Sequence, residues 1–424
     1  VTLYRTWRAA IGICAAAALG ASATGCSTGA GSGDDKAANR PMRLIGDGST
    51  AFTGRQPNQP PVTKLAPGER PPQFVVFSWD GAGEDGQQLF SHFREVARES
   101  NAAMTYFVSG VYVLPRSQRM RYEPPGHPRG SSDIGFLDKD QVRATIEQMR
   151  LAWEEGSEIG THFNGHFCGP TGVGGWTVDQ WKSEIQQAKQ FVERWKTNTG
   201  WTDADPLPFD YERELAGGRA PCLEGQKNLM KAAEDMGFRY DSSGVNSQVW
   251  PSKRHGIWDL SLQNVPFPGR SFEVISMDYN FMSNQSGSAA APVEQHAAYE
   301  KQMREGLLAG FERAYNGNRA PLVVGNHFES WNGGAYMRAV EQTIRTVCRR
   351  AEVRCVSFRQ LADWLDAQDP AVLAKLRKLD VGQAPVDGWK DYMAAAPAGG
   401  KAKAPREAAG GSAVVAGRLR AQAG

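Results

Sequence analysis

The sequence predicts an α/β domain, a largely parallel sheet covered by helices and curled toward a barrel of about seven strands. Three observations carry this. From residue 74 to about 376, strand-like and helix-like segments alternate. The strand-like segments are short apolar runs, as expected of strands buried on both faces. Asp80, His162, His166 and His327 each sit just past such a run. That placement argues for a barrel-like closure over an open sheet, because barrels gather their chemistry at the C-terminal rim of the strands.

Residues 74–79, Phe-Val-Val-Phe-Ser-Trp, form the first strand. A helix over 87–100 sets Leu89, Phe90, Phe93, Val96 and Ala97 on one face. Residues 103–108 and 157–161 read as strands, with a helix over 139–155 between them. The clearest helix is 177–196. It opens with Thr177 and Gln180 in capping-box positions and repeats Val178, Trp181, Ile185, Ala188, Val192 and Trp195 at spacings of three and four. A helix over 224–236 leads to a strand at 238–242. Then come a helix over 293–315, a strand at 321–325, a helix over 335–350, a strand at 354–356, and a helix capped by Ser357 and Gln360. Residues 116–136 form an insertion long enough to serve as a substrate wall.

Outside this core the sequence loses its pattern. Residues 1–26 read as an export signal, with Arg5 and Arg8, then an apolar stretch, then small residues. The apolar stretch is too short for a membrane anchor, which needs roughly 20 residues. Ala23-Thr24-Gly25-Cys26 resembles a bacterial lipobox, making Cys26 a lipidation candidate; ordinary cleavage after Ala23 fits the small-residue rule equally well. The chain is therefore expected to be exported, either held on the outer face of the cytoplasmic membrane by a lipid or secreted. Residues 27–72 read as a disordered tether and 394–424 as a disordered tail, leaving 73–393 as the domain. A net charge of +2, with no run of Lys or Arg, argues against a nucleic-acid partner. From these segments the only partner expected is, at most, a membrane through the lipid, and the protein is expected to be a monomer. Of six cysteines, Cys14 and Cys26 fall in the signal. The other four suggest disulfides Cys168–Cys222 and Cys348–Cys355, with buried free thiols as the alternative.

The segment Gly160-Thr161-His162-Phe163-Asn164-Gly165-His166 holds the most chemistry. Two histidines four apart across a glycine can aim both imidazoles at one point. With Asp80, which ends the first strand, they form a half-open site for a divalent metal, zinc or cobalt rather than calcium or magnesium. In chain order the further pieces are Arg219-Ala220-Pro221, Trp258-Asp259 and His327. Aromatic side chains near these motifs, Trp176, Trp258, Tyr279 and Trp331, suit the faces of sugars.

This series resembles the polysaccharide deacetylases, the carbohydrate esterases similar to nodulation protein B, over nearly the whole region 74–365. The resemblance implies a distorted barrel of about seven strands and a metal-dependent removal of acetyl groups from a cell-wall or extracellular polysaccharide. It implies Asp80, Arg219 and His327 as catalytic residues. Asp80 would be base or ligand, Arg219 would hold the catalytic aspartate, and His327 would be the proton donor. It implies Asp80, His162 and His166 as metal ligands. Trp258, Asp259, Tyr279 and Trp331 are placed at the substrate by their nearness to these motifs. One departure stands out. The family's first motif carries two adjacent aspartates, and here Gly81 follows Asp80. Glu84, Asp85 or Asp278 could supply the missing oxygen. A catalytically weak glycan-binding protein on the same scaffold is the alternative reading.

Overall fold

In the computed structural model, which describes residues 42–394, the predicted elements are present with small changes at their ends, and short strands not expected from the sequence join them, among them the one just before Arg219. The strands are β1 (Arg43–Ile45), β2 (Thr50–Phe52), β3 (Gln73–Asp80), β4 (Thr105–Val108), β5 (Glu158–Thr161), β6 (Gly217–Gly218) and β7 (Tyr240–Asp241). They continue with β8 (Val245–Asn246), β9 (Lys253–Arg254), β10 (Ile257–Asp259), β11 (Leu262–Pro266), β12 (Glu273–Ile275), β13 (Leu322–His327) and β14 (Val353–Cys355). The main sheet runs β13-β3-β4-β5-β6-β7-β10-β9, and β14 pairs with the start of β3. From β13 to β10 every pairing is parallel, seven strands in a row; only β9 turns back. The sheet is curled and mostly parallel, as expected.

β3 is central, with β13 on one side and β4 and β14 on the other, and all eight of its residues are buried. A strand covered on both faces has no polar side, hence the continuous apolar run. Ser78 is the exception, and its hydroxyl is used twice, donating to the Val324 carbonyl at 3.1 Å and accepting from Arg219 at 2.9 Å.

The curl is completed across a seam rather than a full ladder. Beyond β13 lies the small sheet β12-β11-β8. It meets β13 through the Met277–Gly325 bridge and through side chains. Gln263 donates to the Pro321 carbonyl at 2.7 Å and accepts from the Val323 amide at 3.1 Å, while Ser276 donates to the Val323 carbonyl at 2.6 Å.

Two expectations change. Residues 42–72, part of the expected tether, are folded onto the domain. β1 and β2 form a hairpin, the Ala51 amide donates to the Leu207 carbonyl and the Leu207 amide to the Ser49 carbonyl, both at 2.9 Å, and Trp195 donates to the Ser49 carbonyl at 2.6 Å. The polar composition hid this because the segment contributes mainly backbone and amide hydrogen bonds rather than an apolar face. The helix expected from 335 is preceded by Trp331–Gly334, where Asn332, Gly333 and Gly334 all have positive φ. Both proposed disulfides are formed. The signal, Cys26, residues 27–41 and residues 395–424 lie outside the described residues. No described helix is long and apolar enough to cross a membrane.

Candidate functional site

Strand register brings the predicted residues to one rim. His327 and Asp80 are direct neighbours across the β13–β3 ladder. Asp80 is level with Phe107 of β4, Val108 with Thr161 of β5, and Thr161 with Gly218 of β6. His162 and Arg219 are the residues that follow Thr161 and Gly218. Alternation along β3 turns Trp79 outward, against Phe93, Tyr106 and Phe328, and leaves Ser78 and Asp80 facing Arg219.

Arg219 is fully buried and donates to Asp80 Oδ1 at 2.8 Å, to the Ser242 carbonyl at 3.1 Å and to Ser242 Oγ at 2.8 Å. Burial pushes the Asp80 carboxyl up, but Arg219, His162 and His327 outweigh it, so Asp80 stays below its ordinary value. Arg219 is thus paired directly with Asp80.

His162 is 3% exposed and its Nδ1 lies 2.8 Å from the Arg219 carbonyl. A carbonyl can only accept, so Nδ1 carries the proton and Nε2 presents its lone pair. Nε2 is buried with no partner. Burial holds this imidazole neutral, with its pKa down near 3, and lowers His166 too. The two rings lie 5.1 Å apart. Neutral imidazoles with an orphaned nitrogen are the state a metal requires, and an ionised Asp80 fits in charge. In donor type and protonation the residues therefore fit a divalent metal. The spacing is looser. Among the described residues, three candidate donors within 4.8 Å of one another occur only at His166, Cys168 and Cys222. Those two sulfurs are joined in a disulfide, so they are no thiolate ligands.

His327 has its own partner. Asp278, fully buried, accepts from the His327 ring Nδ1 at 2.8 Å and from its backbone amide at 2.7 Å. Burial depresses this imidazole, but Asp278 overrides it and raises the pKa to about 9. Asp278 therefore does not supply the missing metal oxygen; it is committed to His327. Glu84 does not either, since both its oxygens accept from Ser91 at the start of the helix Leu89–Glu99, while the half-buried Asp85 bonds to Gln87. Gly81 has φ +64, with Ser109 and Tyr112 side chains 3.7 and 3.6 Å from where a Cβ would stand.

Tyr279 and Trp331 flank His327, with ring centroids 6.5 and 5.3 Å away. Tyr279 is 50% exposed and offers a free face. Trp258 and Asp259 do not join the substrate site. Trp258 is 3% exposed, donates to Asp366 at 2.9 Å and lies against Lys253 and Arg377, so no ring face remains for a sugar. Asp259 is tied to Ser261 and Arg254. Trp176 is also buried, edge-on to Trp181.

The insertion 116–136 stands beside the histidine turn. Tyr122 accepts from the Gly165 amide at 3.1 Å, and the Asp133 amide and Ser132 hydroxyl donate to the Gly165 carbonyl at 2.8 and 3.2 Å. Sequence reasoning missed Glu184, whose Oε1 accepts from the Asn164 amide at 3.1 Å. Its signal was available: a carboxylate three residues after Trp181 and four before Ala188, on the buried stripe of its helix.

No family model matches the chain, and no curated protein does. Solved structures show weak likenesses. One is the crystal structure of a polysaccharide deacetylase, described as putative, from Mycobacterium smegmatis, 18% identical at TM-score 0.40, covering 72% of this chain and 96% of that one. A family 4 carbohydrate esterase from Streptomyces lividans in complex with acetate is 13% identical at TM-score 0.33, covering 66% and 91%. A CE4 family pseudoenzyme from Bacillus anthracis is 9% identical at TM-score 0.38, covering 72% and 70%.

Proposed function

We propose that this protein hydrolyses acetyl groups from an N- or O-acetylated polysaccharide, with Asp80 as general base and His327 as general acid. One observation carries the reading. Two adjacent groups on one rim are driven to opposite protonation states, Asp80 by Arg219 and His327 by Asp278. Titratable neighbours pushed apart in this way are the pattern of acid–base catalysis. Asp80, ionised, accepts a proton from the attacking water as the new C–O bond forms. His327, protonated near neutral pH, gives its proton to the nitrogen or oxygen of the sugar as the acyl bond breaks. Arg219 keeps Asp80 charged, and Tyr279 and Trp331 bound the sugar side of His327. Zinc or cobalt, held by His162 and His166 with Asp80 nearby, would supply Lewis-acid polarisation of the acyl carbonyl.

Two disulfides support an exported protein, since such bonds persist in oxidising surroundings. We read the chain as lipid-tethered through Cys26 or secreted, and as a monomer.

A second reading has a specific support. Gly81 offers no carboxylate where the family has one, which favours a glycan-binding protein with little turnover. Metal content and acetate release from chitooligosaccharides and peptidoglycan fragments separate the two. The deacetylase reading expects stoichiometric metal and acetate release, both lost on His162→Ala/His166→Ala. Glycan binding without acetate release from any substrate would favour the second reading.

A further inference from the structure

The turn that carries both histidines is an unlikely conformation held from outside. Phe163 and His166 have φ of +61° and +59°, a region that residues with side chains seldom occupy. Gly165 between them could carry no side chain, because a Cβ there would lie 2.6 Å from Phe167 and 2.7 Å from Tyr122. Such a turn persists only where its surroundings over-determine it.

We propose that Glu184 and Tyr122 are positioning residues that clamp this turn and so set the aim of His162 and His166. Both are buried, Glu184 at 1% exposure and Tyr122 at 0%. Glu184 Oε1 accepts from Tyr122 Oη at 2.9 Å and from the Asn164 amide at 3.1 Å, and Tyr122 Oη in turn accepts from the Gly165 amide at 3.1 Å. The Glu184 backbone carbonyl also accepts from Asn164 Nδ2 at 2.9 Å. Two successive amides of the histidine turn are thus satisfied by one carboxylate–phenol pair. One member comes from the helix Val178–Glu193 and the other from the insertion 116–136. Burying a carboxyl on a helix whose other buried residues include Trp181, Ile185 and Phe191 opposes folding, and an apolar residue there would cost less to bury. The amides it holds offset that cost. Burial raises the Glu184 pKa to about 7, and either protonation state keeps Oε1 able to accept both bonds.

This inference goes beyond the hydrolase reading but shares its histidines, so the test has two arms. Amide hydrogen exchange at Asn164 and Gly165 reads the turn directly, without metal. Cobalt titration of the folded domain reads its consequence. Glu184→Ala is expected to speed exchange at both amides at least 10-fold and weaken cobalt binding roughly 10- to 100-fold, the usual scale for outer-shell partners. Glu184→Gln keeps an acceptor oxygen and should restore most of both. Tyr122→Phe should release the Gly165 amide more than the Asn164 amide. Should Glu184→Ala not fold, Tyr122→Phe and Glu184→Gln decide. Wild-type exchange at Gly165 in folded Tyr122→Phe, or at both amides in folded Glu184→Ala, overturns the clamp. A wild-type protein that binds no cobalt overturns the metal reading and leaves the exchange arm decisive.

Discussion

At the scale of single residues, chemistry is set by neighbours distant in sequence. Asp278 lies 49 residues before His327, yet it accepts both of its hydrogen bonds. Its effect has a sign. The folded-state pKa of His327, about 9, lies above its ordinary 6.5, so the pairing stabilises the fold fully below pH 6.5 and is lost as pH rises through 9. Asp278→Asn should bring the His327 titration down toward or below 6.5 and remove that pH-dependent stability, roughly 1.4 kcal/mol for each pH unit by which the midpoint falls. NMR titration of His327 in the two proteins checks this, and identical titration curves would dismiss the pairing. Asp80, His162, His166 and His327 are legible because each follows a strand-like run, whereas Arg219 is legible only through the family resemblance. Asp278 is visible in the sequence as a carboxylate but not as the partner of His327, since a sequence carries no sign of which strand end a helix start will meet. Trp258 fails as a sugar platform because closeness to a motif says nothing about which way a ring points.

Elements are read best where their signals are local. The Thr177–Gln180 and Ser357–Gln360 capping boxes form as expected, because they involve residues three apart. The seam between β11 and β13 leaves no such signal. It depends on Gln263, 5% exposed, whose amide replaces backbone pairing across 58 and 60 residues of sequence. Gln263→Ala should leave the Pro321 carbonyl and the Val323 amide buried without that partner, costing on the order of 2–4 kcal/mol. Urea unfolding measures this. A loss near that of an ordinary surface substitution would show that the seam is held by packing instead.

For the whole molecule, the boundary of the folded region falls earlier than the composition suggests. Ser49 and Thr50 are fully buried, and Gln56 donates to the Trp153 and Ser157 carbonyls at 2.9 and 2.7 Å. A chain beginning at Phe74 should therefore unfold at lower temperature than one beginning at Met42, by several degrees or more. It should also expose Trp195, whose indole N–H loses the Ser49 carbonyl. Equal melting temperatures would restore residues 42–72 to the role of a tether.

The sequence by itself determined the α/β class, the order and approximate limits of the main helices and strands, and four polar residues of the rim, while the cysteine pairing it suggested was decided by the structure. Apolar periodicity, capping residues and strand ends are local properties, written within a few positions of the residues they govern. Only the tertiary structure decided that Asp278 serves His327, that Glu184 and Tyr122 hold the histidine turn, that Trp258 is spent in packing and that Gln263 closes the seam. Those pairings join residues from about 20 to more than 100 positions apart. Their geometry is fixed by how the curled sheet brings strand ends level, and no window of sequence spans that distance.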